Sequence, residues 1–344
     1  MNKIIFFIIL YINISSAFFL PDDVQVKLGT GYNSNFLNFS DYEINNLSND
    51  ILVLGDSDTY DSPVIRCSVR SSREIKFIPI ILDLDMGFIN YSQSSNKTSF
   101  NSSFIVSHRF GNYKWIKLGY KNIPMNYLRM YKDRDQIGSP LVAADFKFER
   151  LFSSISFPIY RKIWVRTQFS RALMYFNKYF TEFDLIQNQL YVKVYNLAYR
   201  RTTLSPFIKI LSSDNNTYGK GLLSNNIDRS YIEYIFGNDF KRKIYNNIFF
   251  DNYKTIVSFK LRNYTSLDLV DVLHNNRSHI EFEFIHKISK NINENINISM
   301  YCKYVNRKTD ASSDYVEDLK SYNNFEFGFD FLFNLTDKLY DITY

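Results

Sequence analysis

Phe325-Glu326-Phe327-Gly328-Phe329-Asp330-Phe331-Leu332-Phe333-Asn334-Leu335 decides the fold. Every odd position is apolar, and the even positions include Glu326 and Asp330. Successive side chains of a strand point to opposite faces. One face is therefore a ladder of phenylalanines and the other carries two carboxylates. A soluble sheet would turn the ladder inward. A barrel in a bilayer would turn it outward into lipid and keep the acids in a wet lumen.

The same alternation recurs along the chain. Strand centres fall at 24–30, 65–70, 82–88, 100–107, 116–120, 142–149, 163–170, 189–194, 204–210, 232–236, 257–262, 280–284 and 296–303, before the final run at 325–335. No stretch reads as a convincing amphipathic helix. The connections sort by parity. Odd ones are mostly long, at 33–63, 92–98, 121–140, 177–185, 214–228, 265–276 and 306–321. Even ones are mostly short, at 72–75, 111–112, 158–161, 199–202 and 288–294, with 238–252 the exception. Long loops at one rim and tight turns at the other are how transmembrane barrels are built, and a soluble sandwich has no reason to sort its loops this way. The expected fold is all-β: a closed antiparallel transmembrane β-barrel of about fourteen strands, within a range of twelve to sixteen. Tyr120, Tyr234, Tyr264, Tyr304 and Trp164 near strand ends fit interfacial aromatic girdles.

Lys3, the apolar run Ile4 to Ile12 and the small residues Ser15-Ser16-Ala17 form the pattern of a secretory signal. The expected division is a signal peptide at 1–17 and a single barrel domain at 18–344. The apolar run is about half of the ~20 residues a spanning helix needs. The chain has a formal net charge of +6, 18% aromatic residues and only 11 Gly and 7 Pro. The positive charge is spread out, with no basic stripe of the kind that binds nucleic acid. Cys67 and Cys302 are far apart, and two cysteines do not make a disulfide framework.

With its signal peptide, alternating strands and terminal aromatic Tyr344, the chain resembles bacterial outer-membrane β-barrel proteins of the porin-like kind, with no specific family indicated. Gly31-Tyr32-Asn33-Ser34-Asn35 is similar to the Gly-Tyr-Asp-Ser-Asn that ends the first strand of some such barrels, with Asn33 in place of the Asp. The resemblance implies the bacterial outer membrane as location, and lipid and the barrel assembly machinery as partners.

No chemistry-bearing motif competes with this reading. The histidines lack a Gly-x-Ser-x-Gly companion, Asp133-Arg134-Asp135 lacks the ligand count and glycine of a calcium loop, and no cofactor is expected. The candidate site is the inward face. The expected lumen-facing residues are Arg66, Lys117, Lys147, Arg166, Lys193, Lys209, Lys260, Arg262 and Lys303, with Asp83, Asp85, Asp145, Glu149, Glu233, Glu281, Glu283, Glu326 and Asp330. Nine bases and nine acids point to weak ion selectivity. The expected function is a general or weakly selective channel for small polar solutes, not an enzyme. The alternatives are a structural or adhesin-type barrel that presents its Asn-rich loops to a partner, and a soluble exported β-sheet protein.

Overall fold

The computed structural model describes residues 21–48, 51–75, 77–199, 201–220, 226–244, 248–266, 271 and 273–335. The proposed signal at 1–17 and the terminal Tyr344 lie outside them.

Fourteen long strands form the wall. They are β1 (Asp23–Asn33), β2 (Ser62–Ile75), β3 (Ile80–Tyr91), β4 (Ser94–Gly111), β5 (Lys114–Lys132), β6 (Leu141–Tyr160), β7 (Ile163–Phe176), β8 (Leu185–Tyr195), β9 (Thr202–Asn215), β10 (Tyr231–Lys243), β11 (Asn252–Tyr264), β12 (Ser278–Asn291), β13 (Ile296–Asp310) and β14 (Tyr322–Asn334). A short strand, Leu197–Tyr199, continues β8 past Asn196, whose φ is 64°, and pairs with the start of β9. Each long strand pairs antiparallel with the next, and β14 pairs with β1 from Gln25↔Asn334 to Asn33↔Glu326. The sheet therefore has no free edge. Closure lets both edges of every strand pair within the wall, which hydrocarbon requires.

The outer face is apolar. Phe325, Phe327, Phe329 and Phe331 are 44%, 44%, 45% and 37% exposed, while Asp330 on the opposite face is 4% exposed. Leu118, Leu151, Phe169, Phe259 and Ile280 repeat the pattern around the wall and are likewise exposed. An apolar belt around a closed barrel is a lipid-facing surface; in water it would far exceed the apolar patch a soluble monomer tolerates. The chain thus forms an outer-membrane type of barrel and not a soluble sheet protein.

The expected connections need correction at three points. β5 continues to Lys132, so the loop expected at 121–140 shrinks to 133–140. β4 begins at Ser94, so the loop expected at 92–98 is a two-residue turn. Two short helices occur in the long connections, α1 (Asp41–Asn45) and α2 (Asp314–Lys320). Cys67 and Cys302 are both free.

Two phenylalanines shape the inner wall. Gly119 lies opposite Phe152, and Gly237 opposite Phe207. A Cβ at either glycine would fall 2.1 or 2.3 Å from the facing ring. Each ring therefore lies flat over a bare backbone instead of standing into the lumen, a pairing that rescues the packing a glycine forfeits in a strand.

Candidate functional site

Register and alternation place Arg66, Asp83, Asp85, Lys117, Arg166, Lys193, Lys209, Glu233, Lys260, Arg262, Glu281, Glu283, Lys303, Glu326 and Asp330 on the face opposite the phenylalanine ladder. Asp145, Lys147 and Glu149 lie on the other face, against expectation. Glu149 sits opposite Asn122 and Leu173, in phase with the outward Leu151. It accepts a hydrogen bond from the outward Tyr120 at 2.8 Å and an ion pair from Lys147 at 2.9 Å. The reason is strand length. β6 spans 20 residues, whereas crossing the bilayer takes only ~9–11, so its first part stands beyond the hydrocarbon. There the apolar Ala144 and Phe146 turn inward and are buried, and the charges face water. Trp164 and Tyr264 also leave the expected outer girdle. Both take inward positions, opposite Tyr195 and Tyr231.

From β10 through β14 to β3 the inner charges are joined strand to strand. Glu281 takes Lys260 and, at 2.7 Å, Arg307. Glu233 takes Arg262 at 2.7 Å, and Glu283 takes Lys303 at 2.7 Å. Glu326 takes Arg66 at 2.6 Å, and the Arg66 guanidinium also meets the Tyr301 hydroxyl. Asp330 bridges Lys27 at 3.0 Å and Lys287 at 3.1 Å. Asp83 takes Arg70 at 3.0 Å, and Asp85 lies opposite Arg70 in register. Charges held this way need water around them, because burial of so many ions in a dry core costs several kcal/mol apiece. Lys193 pairs with Asp239 on β10. Lys117, Arg166 and Lys209 have no carboxylate within ion-pair distance among the described residues; Arg166 donates to Ser156 Oγ at 3.1 Å.

Several inward residues fall outside the expected set: Arg70, Lys27, Asp239, Lys287, Tyr301 and Arg307 within this network, and Lys121 and Arg150 beside it. Most lie beyond the ends of the clearest apolar runs. Continued alternation was their signal: Arg307 is in phase with Lys303, Lys121 with Lys117, and Asp239 with Glu233.

The lumen contains two adjoining cavities of about 400 and 380 Å³. Lys260, Glu281 and Glu283 line both. The first extends past Lys193, Lys209 and Asp239, and the second past Lys303, Glu326 and Tyr91.

The connection 34–61 closes in on the second cavity, where Phe36 and Asn38 form part of its wall. Its fold follows from local sequence. Asn35 accepts from Phe39 N–H at 2.8 Å and donates to the carbonyls of Phe39 and Asn323 at 2.7 and 2.9 Å. Ser40 caps α1, and Ser40 with Glu43 makes a reciprocal capping box. Phe36, Leu37, Phe39 and Leu54 then bury against Tyr127 of β5. Glu43 also receives Arg129 at 2.9 Å. Far along the connection, Asp56 accepts Ser94 at 2.6 Å, and Ser95 and the Asn96 N–H at 2.9 Å. Burial alone would raise the Asp56 carboxyl, but these three hydrogen bonds outweigh it and hold the group below the ordinary carboxylate range. Residues 34–48 and 51–61 therefore reach from β14 to β5 as a fixed shelf at the long-loop rim. The Ser-x-x-Glu spacing at 40 and 43 was the available signal that this stretch is ordered.

Described residues of two other rim loops are also tied down. In the β11–β12 connection, Asp271 accepts His274 N–H at 3.1 Å and the His274 ring at 3.0 Å. Burial pushes the His274 imidazole down to about 4, with Asp271 opposing the shift and Arg277 adding to it. His279, on the inner wall, meets Thr309 Oγ1 at 2.8 Å, which is an ordinary structural contact. Asp133 accepts the Asp135 N–H at 3.0 Å, the local turn that such a spacing makes in a loop.

No family model and no curated protein sequence matches the chain. Among solved structures it is similar to OccAB1 of Acinetobacter baumannii, with 9% identity over 91% of this chain and 96% of that one, at a TM-score of 0.47. OccAB3 of the same organism gives 8% identity over 91% and 99%, at 0.46. An anion-selective porin from Comamonas acidovorans gives 8% identity over 90% and 98%, at 0.43. These likenesses are too distant to carry weight; the barrel rests on its own strand pairing.

Proposed function

We propose that this protein is an outer-membrane channel that passes small polar solutes through the barrel, without catalysis. The observation that carries this reading is the inner wall: charged residues from β4 and from β8 through β14 line adjoining cavities instead of an apolar core. Fourteen strands enclose more room than the eight whose side chains fill a barrel unaided. Bilayer lipid on the outer face and the barrel assembly machinery are the partners this reading requires. The fixed shelf 34–61 sets the narrowest part and passes solutes beside Lys260, Glu281 and Glu283.

The test is insertion of the folded protein into planar bilayers. Stepwise, ohmic conductance increments are the expected result. Folded barrels that insert and stay electrically silent would instead support a closed barrel that presents its rim loops to a partner.

A further inference from the structure

The inner wall is divided by charge. β5, β6, β7, β8 and β9 contain three acids in all, Asp145, Glu149 and Asp214. The first two face outward, as shown above. Asp214 pairs with Ile186 in the outward phase of Ile210 and Ile208. The inner face of this arc therefore holds no carboxylate. It holds Lys117, Lys121, Arg129, Arg150, Arg166, Lys193 and Lys209; Arg129 meets Glu43 of the 34–61 connection, Lys193 meets Asp239 across the β9–β10 boundary, and the other five have no carboxylate within ion-pair distance among the described residues.

The arrangement is expensive. Lys121 lies directly opposite Arg150, and Arg166 directly opposite Lys193. Like charges in directly facing positions destabilise a sheet. The only other such run among the described residues is Lys241, Lys254 and Lys287, which face one another across β10, β11 and β12, and there Lys287 reaches Asp330 at 3.1 Å. On the arc the intervening inward residues are neutral: the rung from Lys117 runs through Ser154, Gln168 and Tyr191 to Lys209. The Arg150 Nε is buried with no hydrogen-bond partner among the described residues. The wall thus carries unspent donors and uncompensated charge along one side, opposite the paired acids and bases of the other.

We propose that this arc is an anion track, which makes the channel selective for small oxyanions bearing a carboxylate or a phosphate. The inference rests on the channel reading and names its solute class. Unpaired cations on a narrow, low-dielectric wall raise the local concentration of anions and repel cations. Guanidinium groups such as Arg150 and Arg166 match carboxylate and phosphate oxygens two at a time. On the paired side most acids sit on a base, so their fields largely cancel, and the facing Lys241 and Lys254 add positive charge there.

The measurement is the reversal potential in a KCl gradient across a planar bilayer. The parent channel should favour chloride over potassium several-fold. Replacing Lys121→Gln with Arg150→Gln, or Lys117→Gln with Lys209→Gln, should bring the ratio towards one. Removing a paired couple that lines neither cavity, Lys27→Gln with Asp330→Asn, should leave it unchanged. A parent ratio at or below one, or a ratio untouched by both basic-arc variants, overturns the proposal while the channel reading stands. Absence of any conductance overturns both. Inorganic phosphate and succinate added to one side separate the two oxyanion sources. Reduction of chloride current by either, weakened in the Lys121/Arg150 variant, is the expected result. Reduction by neither overturns the assignment to oxyanions.

Discussion

Phe329 and Glu326 are three residues apart on β14 and live in different solvents. Phe329 faces lipid at 45% exposure; Glu326 faces the lumen and holds Arg66 at 2.6 Å. Phe329→Arg forces a guanidinium into hydrocarbon and should cost ~2–4 kcal/mol if the position lies near the midplane. Glu326→Gln removes the charge but keeps on the lumen side an amide oxygen that can accept from the Arg66 guanidinium, so the loss should stay at about 1 kcal/mol. Urea titration of the barrel refolded into vesicles should show a large loss for the first variant and a small one for the second. Comparable losses would mean that the two faces are not different solvents. This contrast was legible in the sequence, because a period of two with all the aromatics in one phase has one membrane solution. Asp145, Lys147 and Glu149 were misread for an equally physical reason. Alternation gives two faces but not which of them is wet, and beyond the bilayer both are.

At the scale of the element, the decisive object is the 34–61 connection. Composition alone reads it as a polar surface loop rich in Asn and Asp. Its order comes from spacing: Asn35 closing on Phe39, Ser40 with Glu43, and four apolar residues that bury against β5. Two polar anchors hold its far side, Glu43 on Arg129 and Asp56 on the Ser94–Asn96 turn. Loss of the Asp56 hydrogen bonds should cost the shelf about 1–3 kcal/mol. A Glu43→Ala, Asp56→Ala variant should therefore keep the barrel but loosen the shelf. Single-channel recordings should show larger and noisier openings than the parent. Unchanged conductance would mean that the shelf does not bound the pathway. The same reasoning explains the long reach of β5. Tyr127, Arg129 and Tyr131 follow a break in the pairing register between Ile123 and Asn126. A bulge shifts the side-chain phase and hides the continuing strand from a strict period-two reading.

For the molecule as a whole, the strand count, the closed barrel and most of the long and short connections followed from alternation, while 92–98 and 121–140 did not. Each spanning strand must be apolar on one side and must pair on both edges, so the pattern is imposed at every crossing. The site was legible only in part. Inner positions near strand centres could be read directly. Which charges pair could not, because pairing depends on register between strands distant in sequence, as with Arg66 and Glu326 across β1. An even tally of acids and bases therefore suggested a neutral lumen, while their placement divides it into a paired side and a basic side.

The central claim is that one face of this wall is bathed in water and the other in lipid. Thiol accessibility tests it position by position. With Cys67 and Cys302 first replaced by serine, single cysteines are placed at Lys209, Lys260 and Lys303, and at their outward neighbours Ile210, Phe259 and Tyr304. The protein is refolded into vesicles and treated with a charged, membrane-impermeant thiol reagent from both sides. The account predicts rapid modification at 209, 260 and 303 and protection at 210, 259 and 304. Equal reactivity of the two sets, or faster reaction at the outward positions, would contradict it.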